Sequence, residues 1–230
     1  MSAMRPVTAT PDAGFDAVVF DCDGVLADTE EAWLLVEREL CRSYGVDPEH
    51  ADSTDTRGVS MHDSVRLLLP QLKRDDDRME AAHRLIEIAT CIVGQRATPL
   101  PGVLGLIPSL GDEFPIAVAS NSPTAVLHPV LTGIGLQQYF EHALGADQVE
   151  QPKPAPDLYL LAAHRLGCDP ARVLVVEDSA TGVRAARAAG CRVVQVLGTG
   201  AQPVDEAHAW LPDLQLTVDA FVAAMAAQEN

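Results

Sequence analysis

Short apolar runs that end at polar residues recur along the chain and predict buried strands. Residues 17–20 are all apolar and stop at Asp21, as in a strand that is covered on both faces. Comparable strand patterns occur at 116–119, 143–146, 172–176 and 193–197. Helical patterns separate them, at 124–134, 157–166 and 181–189. Strands and helices that alternate in this way predict an α/β fold with a doubly wound parallel sheet.

Residues 31–98 show no strand pattern and instead repeat apolar residues at helical spacing. Trp33 and Leu40 recur at this spacing, and we interpret both as core positions. Residues 75–96 predict one long helix whose buried face includes Met79. This block is therefore expected to be entirely helical.

The helical block interrupts the chain between the first predicted strand and the remaining ones. It ends at the helix-breaking cluster Thr98-Pro99-Leu100-Pro101-Gly102, a candidate hinge. We therefore expect an α/β core domain formed by residues 1–30 and 99–230, and an all-helical cap domain formed by residues 31–98. An insertion joined to a core by two hinges can act as a lid. Equal cap positions with and without a phosphate analogue would contradict that hypothesis.

Composition and charge restrict the classes of partner. The chain has 230 residues, of which 47% are hydrophobic and 21% charged, as in ordinary globular proteins. A net charge of −17 without a run of Lys or Arg argues against nucleic-acid binding. The N-terminal residues lack the apolar core of a signal peptide, and no apolar run reaches the length of a membrane span. We expect a cytoplasmic protein with no membrane partner; the pattern does not distinguish a monomer from a dimer.

Two carboxylates follow the first predicted strand directly. Asp21 and Asp23 are two residues apart and project to the same side of an extended chain, and Gly24 then allows a sharp turn. Two acids held this close repel each other unless a cation lies between them. Mg²⁺ prefers carboxylate and carbonyl oxygen, so the pattern predicts a magnesium site.

Polar residues also end or follow the later predicted strands, and they are Ser120, Asn121, Lys153, Glu177 and Asp178. The carboxyl ends of parallel strands meet at one edge of a sheet, where ligands bind. This set supplies acids for a metal and a nucleophile, a hydroxyl for an oxyanion, and a lysine for negative charge. These are the requirements for phosphoryl transfer through an aspartyl phosphate.

The clusters resemble the four motifs of the haloacid dehalogenase superfamily. The resemblance is to the branch of phosphoglycolate phosphatases and β-phosphoglucomutases, in which a helical cap follows the first strand of a Rossmann-like core. It covers residues 17–197. The motifs are Asp21-Cys22-Asp23-Gly24-Val25, Ala119-Ser120-Asn121-Ser122, Lys153-Pro154-Ala155-Pro156-Asp157 and Val176-Glu177-Asp178-Ser179.

The resemblance implies a role for each motif residue. Asp21 would attack phosphorus, and Asp23 would serve as general acid and then as general base. Ser120, with Asn121 and the neighbouring backbone amides, would hold the phosphoryl oxygens. Lys153 would bind phosphate and neutralise charge beside Asp21. The Mg²⁺ ligands would be Asp21, Asp178 and the backbone carbonyl of Asp23, with Glu177 as a helper.

The same resemblance narrows the reaction. Dehalogenases usually lack an aspartate at the position of Asp23, so its presence favours phosphoryl transfer. Residues 56–60 resemble the cap recognition loop of β-phosphoglucomutases, which makes Arg57, Gly58 and Ser60 candidate substrate-binding residues. However, Met61 replaces a phosphate-binding arginine of those mutases.

Trp33 replaces a histidine that those mutases use near the acid, which is a second departure from their pattern. We therefore expect a Mg²⁺-dependent phosphatase for a small phosphorylated metabolite of the sugar-phosphate or phosphoglycolate type. A sugar-phosphate mutase of the β-phosphoglucomutase type is the alternative. A non-enzymatic phospho-acceptor or binding module is a third hypothesis, but phospho-accepting receivers carry no helical insert after the first strand.

Overall fold

A computed structural model of the protein describes residues 14–56, 58–198 and 202–226. Its strands are β1 Ala17–Phe20, β2 Ala27–Asp28, β3 Thr98–Pro99, β4 Ile116–Ser120, β5 His142–Gly145, β6 Val173–Glu177, β7 Arg192–Val196 and β8 Ala209–Leu211. Six of the strands described form one sheet in the order β5-β4-β1-β6-β7-β8, and every neighbouring pair in it is parallel. The prediction of a parallel α/β sheet is therefore confirmed.

Helices connect the strands and surround the sheet. They are α1 Glu30–Ser43, α2 Glu49–Asp52, α3 Met61–Leu68, α4 Asp75–Arg96, α5 Val103–Glu113, α6 Thr124–Gly133, α7 Asp157–Leu166, α8 Ala180–Ala188 and α9 Val218–Ala226. Among these described helices, none combines the length and the hydropathy that a membrane span requires.

Side chains of the central strand alternate between two hydrophobic cores. Val18 and Phe20 belong to the core that α5, α6 and α9 cover, whereas Ala17 and Val19 belong to the core beneath α7 and α8. Helices thus cover both faces, which is why β1 is apolar at every position rather than at alternate ones. This arrangement is the doubly wound architecture that the sequence predicts.

Helices α1–α4 form a helical segment (residues 30–96) that adds no strand to the sheet within the residues described. Helix α4 has the predicted bounds, and it buries Leu85 and Val93. The prediction that Met79 is buried is wrong, since it is 51% exposed. Met79 lies in the second turn of α4, and burial along this helix begins only at Ala81.

Two features connect the helical segment closely to the rest of the protein. Strands β2 and β3 pair antiparallel, so the two chain crossings into and out of the segment lie side by side. The predicted hinge at 98–102 therefore begins with a short strand. In the last turn of α4, just before β3, a Cβ on Gly94 would lie 2.5 Å from the Cβ of Pro129, so α4 and α6 touch almost backbone to backbone.

The sheet brings the polar ends of three strands to one edge. Strand β1 lies between β4 and β6, with Phe20 paired with Val118 on one side and with Val176 on the other. Asp21 directly follows β1, while Ser120 and Glu177 end the two neighbouring strands. Because all three strands run in the same direction, these side chains converge as predicted.

Candidate active site

Lys153 joins two acids at the centre of this edge. Its Nζ lies 2.6 Å from Asp21 Oδ1 and 2.6 Å from Glu177 Oε1, and it donates a third hydrogen bond of 2.8 Å to the carbonyl of Ala119. Lys153, Asp21 and Glu177 are all buried. Burial alone would lower the pKa of Lys153, but the two carboxylates outweigh it and hold that pKa above its usual value. The lysine therefore remains a buried cation.

Glu177 is the acid that anchors this lysine. Its two oxygens accept hydrogen bonds from five donors, namely Lys153 Nζ, Tyr159 OH, the backbone amides of Asp178 and Ser179, and Ser179 Oγ. Burial raises its pKa, but Lys153 and these donors reverse the effect, so the net direction is downward. With its lone pairs occupied, Glu177 is better suited to hold Lys153 than to bind a metal directly.

Tyr159 is a residue of this cluster that the sequence analysis missed. It is fully buried on α7, donates a 2.7 Å hydrogen bond to Glu177 and places its ring 4.7 Å from Lys153 Nζ. Opposite it, a Cβ on Gly182 would lie only 1.7 Å from Glu177 Oε1, so glycine is required there for the acid to fit. The only sequence signal for Tyr159 was its position two residues after the lysine motif.

Three carboxylates at this edge are arranged as a metal-binding group. One oxygen each from Asp21, Glu177 and Asp178 lies within 4.8 Å of the others. Burial raises the pKa of Asp178 to about 7, and the charge of Glu177 adds to the rise. Burial likewise raises the pKa of Asp21, against the pull of Lys153. A divalent cation bound to Asp21 and Asp178 would favour their charged forms and so lower both pKa values.

Gly24 makes room for this acid group. Its φ is +85°, and a Cβ there would lie 2.2 Å from Asp178 Oδ2. Any other residue would therefore push Asp178 away and strain the turn after the first motif. The donor set and this cradle both fit Mg²⁺, which prefers carboxylate oxygen.

Asp23 lies in a separate network of neutral donors. Thr29 Oγ1 and Trp33 Nε1 donate to its Oδ1 at 2.6 and 2.9 Å. Ser122 Oγ and Ser120 Oγ donate to its Oδ2 at 2.9 and 3.2 Å. This carboxylate is therefore held from both sides, by the helical segment at one oxygen and by the end of β4 at the other.

The assignment of Trp33 to core packing is therefore incomplete. Its ring is only partly buried, and its indole nitrogen reaches Asp23 across the turn between β1 and α1. The hydroxyl of Thr29 likewise bonds to Asp23 and forms no cap bond with α1. A helical apolar spacing cannot reveal these roles, because it does not distinguish an indole that donates a hydrogen bond from one that only packs.

The Asn121 side chain connects three parts of the site. Its Nδ2 donates to the carbonyls of Lys153 and Gly58, both at 3.1 Å, and its Oδ1 accepts from the amide of Lys153 at 3.0 Å. These bonds occupy the side chain. Of the predicted phosphate-binding group, Asn121 thus offers its backbone amide, while Ser120 is buried with its hydroxyl against Asp23.

A cavity of about 600 Å³ lies between this edge of the sheet and the helical segment. Asp21, Asp23 and Lys153 line one side, and Trp33, Glu37 and Met61 line the other. Its size is typical of sites for small metabolites.

The candidate substrate residues of the loop differ in their positions. Gly58 lines the cavity and accepts the hydrogen bond from Asn121. Ser60 caps α3 instead, since its Oγ accepts from the amide of Asp63 and donates to the Asp63 carboxylate. Arg57 lies outside the described residues.

Comparison with known proteins identifies the family. Residues 18–196 match the haloacid dehalogenase-like hydrolase family. The fructose-1-phosphate phosphatase YqaB of Escherichia coli K12 is 31% identical over 182 residues, which cover 79% of this chain and 96% of that protein. Hexitol phosphatase B of the same organism is 33% identical over 189 residues, covering 81% of this chain and 85% of that protein. The chain therefore belongs to the haloacid dehalogenase-like hydrolases.

A solved structure agrees with this fold. The crystal structure of CbbY from Rhodobacter sphaeroides in complex with phosphate superposes with a TM-score of 0.71 at 24% identity, covering 90% of this chain and 98% of that one. The predicted superfamily and the prediction of a hydrolase are confirmed, and the names of the relatives agree with the phosphatase class that the motifs predict.

Proposed function

We propose that the protein is a Mg²⁺-dependent phosphatase that hydrolyses a small sugar phosphate or polyol phosphate through an aspartyl phosphate on Asp21. The observation that carries this proposal is the placement of Asp21 between a buried lysine and the acid group, with Asp23 held separately nearby. The similarity to enzymes named for fructose 1-phosphate and hexitol phosphates supports the substrate class.

In the first step, Asp21 attacks phosphorus and the bond to the leaving oxygen breaks as Asp23 protonates that oxygen. In the second step, Asp23 takes a proton from water, the water oxygen bonds to phosphorus, and the Asp21–phosphorus bond breaks. Lys153 reduces the repulsion between Asp21 and the phosphoryl group. Mg²⁺ on Asp21, Asp178 and the Asp23 carbonyl would supply further charge neutralisation.

The donors around Asp23 assign different tasks to its two oxygens. An indole N–H can only donate, so Oδ1, which also receives the Thr29 bond, remains an acceptor. Oδ2 accepts from the hydroxyls of Ser120 and Ser122, and a hydroxyl can rotate to accept a hydrogen bond from a protonated Oδ2. We therefore assign the transferred proton to Oδ2.

The helical segment acts in this proposal as a cap domain, with residues 31–98 as the cap and residues 1–30 and 99–230 as the core. The Asn121–Gly58 hydrogen bond and the cavity beneath the segment support that role. Met61 and Trp33, the two departures from the mutase pattern, both line the cavity, and this supports a phosphatase over a mutase.

The test measures phosphate release from p-nitrophenyl phosphate, fructose 1-phosphate, a hexitol 6-phosphate and 2-phosphoglycolate, with Mg²⁺ and with EDTA. We expect release that requires Mg²⁺ and that Asp21→Asn lowers by at least about a thousandfold. Asp76→Asn, the same change at an acid whose side chain is 89% exposed, is the matched control.

Two outcomes would contradict the proposal. Equal release by the Asp21→Asn variant would exclude Asp21 as the nucleophile. Interconversion of two sugar phosphates without net release of phosphate would instead support the mutase alternative.

A further inference from the structure

Glu37 is a buried acid on the cavity wall to which the proposed chemistry assigns no task. It lies on α1, is only 6% exposed and lines the cavity. Thr56 Oγ1 donates a hydrogen bond to its Oε1. Among the ion pairs of the described residues, none involves Glu37, whereas Glu39 on the same helix pairs with Arg42 at the surface.

Glu37 is also placed where the leaving group of a substrate must lie. Trp33 contacts the proposed acid Asp23, and Glu37 follows Trp33 by four residues on the same side of α1. Four residues correspond to a rise of about 6 Å along a helix. The wall formed by α1 thus runs from Trp33, which contacts the proposed acid, to Glu37 over about 6 Å, roughly the length of a short carbon chain.

The groups around Glu37 are suited to neutral hydroxyls. Thr54, Thr56 and Ser64 also line the cavity. The hydroxyls of Thr54 and Thr56 donate to the His50 carbonyl and to Glu37, and each can still accept a hydrogen bond. A carboxylate has about four acceptor sites, and Thr56 occupies one of them. Because Glu37 also lines the cavity, hydroxyls of a ligand can bond to its remaining acceptor sites.

We infer that Glu37 selects the leaving group of the substrate by accepting hydrogen bonds from the hydroxyls of a polyol or sugar chain. This inference rests on the proposed function. It specifies a phosphate ester whose far end is uncharged and hydroxylated.

The negative charge of Glu37 disfavours a substrate that carries a second acidic group at the end remote from the phosphate that is hydrolysed. Asp55 also lines the cavity and raises the pKa of Glu37 electrostatically. Burial is the larger cause of that rise, to about 7, and the Thr56 bond opposes it. At pH 8 the Glu37 carboxylate would repel a carboxylate or a second phosphate in this low-dielectric site. A hydroxyl would meet no such repulsion.

The experiment compares kcat/KM for a hexitol 6-phosphate, 2-phosphoglycolate and p-nitrophenyl phosphate at pH 8, each in the presence of Mg²⁺. We define the hexitol-to-aryl ratio as kcat/KM for the hexitol 6-phosphate divided by kcat/KM for p-nitrophenyl phosphate. For Glu37→Gln we expect this ratio to fall about tenfold to a hundredfold, because an amide replaces a charged acceptor. The phosphoglycolate-to-aryl ratio should rise, since the repulsion is removed. Glu39→Gln, the same change on the outer face of α1, should alter neither ratio.

A second variant separates charge from geometry. Glu37→Asp keeps the charge but withdraws it by one methylene, so it should lower the hexitol ratio while phosphoglycolate remains a poor substrate. Glutamine can still accept the Thr56 bond, so a loss of fold is not expected in Glu37→Gln.

Equal changes for all three substrates, or unchanged ratios in both variants, would overturn the inference and leave Glu37 a structural residue. If the wild-type protein released no phosphate from any ester, the proposed function would fail, and this inference with it.

Discussion

Replacing Glu37 with glutamine should change how the stability of the protein depends on pH. Burial raises the pKa of this acid from an ordinary 4.5 to about 7 in the folded protein. The folded state therefore holds the proton more tightly than the unfolded state does. It follows that ionisation of Glu37 opposes folding increasingly as the pH rises from about 4.5 through 7, and that the variant escapes this penalty.

The magnitude follows from the difference between the two pKa values. One pKa unit corresponds to about 1.4 kcal/mol, so the full penalty at high pH is roughly 3 kcal/mol. At pH 5 most of it is absent, because the folded state keeps Glu37 protonated and the unfolded state is only partly ionised. Between pH 5 and pH 8 the wild-type protein should therefore lose roughly 2 kcal/mol of unfolding free energy relative to Glu37→Gln.

Urea unfolding at pH 5, 6, 7 and 8 in EDTA, followed by circular dichroism, measures this difference. Asp178 and the other titrating acids are present in both proteins, so their contributions cancel in the comparison. Glu39→Gln serves as the matched control, because it makes the same change on the same helix at an acid whose side chain is 45% exposed.

A Glu37→Gln difference that stays constant from pH 5 to pH 8 would refute the reasoning. So would a difference of the opposite sign, in which the wild-type protein gains stability over the variant as the pH rises. Either result would mean that Glu37 is solvated or paired with a cation in solution.

Two further substitutions test the acid and the metal site. Trp33→Phe keeps an aromatic ring but removes the donor to Asp23. We therefore expect kcat to fall about tenfold for a hexitol phosphate. The fall should be smaller for p-nitrophenyl phosphate, because its leaving group needs little protonation. Gly24→Ala would place a Cβ 2.2 Å from an Asp178 oxygen; we expect the Mg²⁺ concentration for half-maximal activity to rise at least about tenfold.

Matched controls for these variants lie elsewhere in the chain. Trp210→Phe changes an indole that is 43% exposed, and Gly105→Ala adds a Cβ that meets no atom within 4 Å. Equal losses on both substrates would contradict the role of Trp33 in orienting the acid. An unchanged Mg²⁺ requirement in Gly24→Ala would contradict the acid cradle.

The sequence predicted the sheet and the polar edge well because both depend on local patterns. Strands covered on both faces are continuously apolar, and parallel strands deliver their final polar residues to one edge, so Asp21, Ser120 and Glu177 could be grouped without coordinates. Strands β2, β3 and β8 were missed because two or three residues are too few to show a period.

The parts of the site that were missed depend on contacts between distant residues. Tyr159 belongs to an amphipathic helix, and only its position against Glu177 reveals its hydroxyl as part of the lysine cluster. Two of the five donors to Glu177, Lys153 and Tyr159, likewise lie outside its motif, so the motif alone could not reveal Glu177 as an anchor for Lys153.

If the proposed cap opens, the hydrogen bond from Asn121 to the carbonyl of Gly58 is one of the contacts that must break. One such bond contributes about 1 kcal/mol net, or roughly a fivefold bias toward closure. When the bond to Gly58 breaks, Asn121 Nδ2 still donates its other hydrogen to the Lys153 carbonyl, so only one N–H is released to water. A contribution this small would let a bound substrate favour the closed state with a few contacts of its own, and would not by itself hold the product in place.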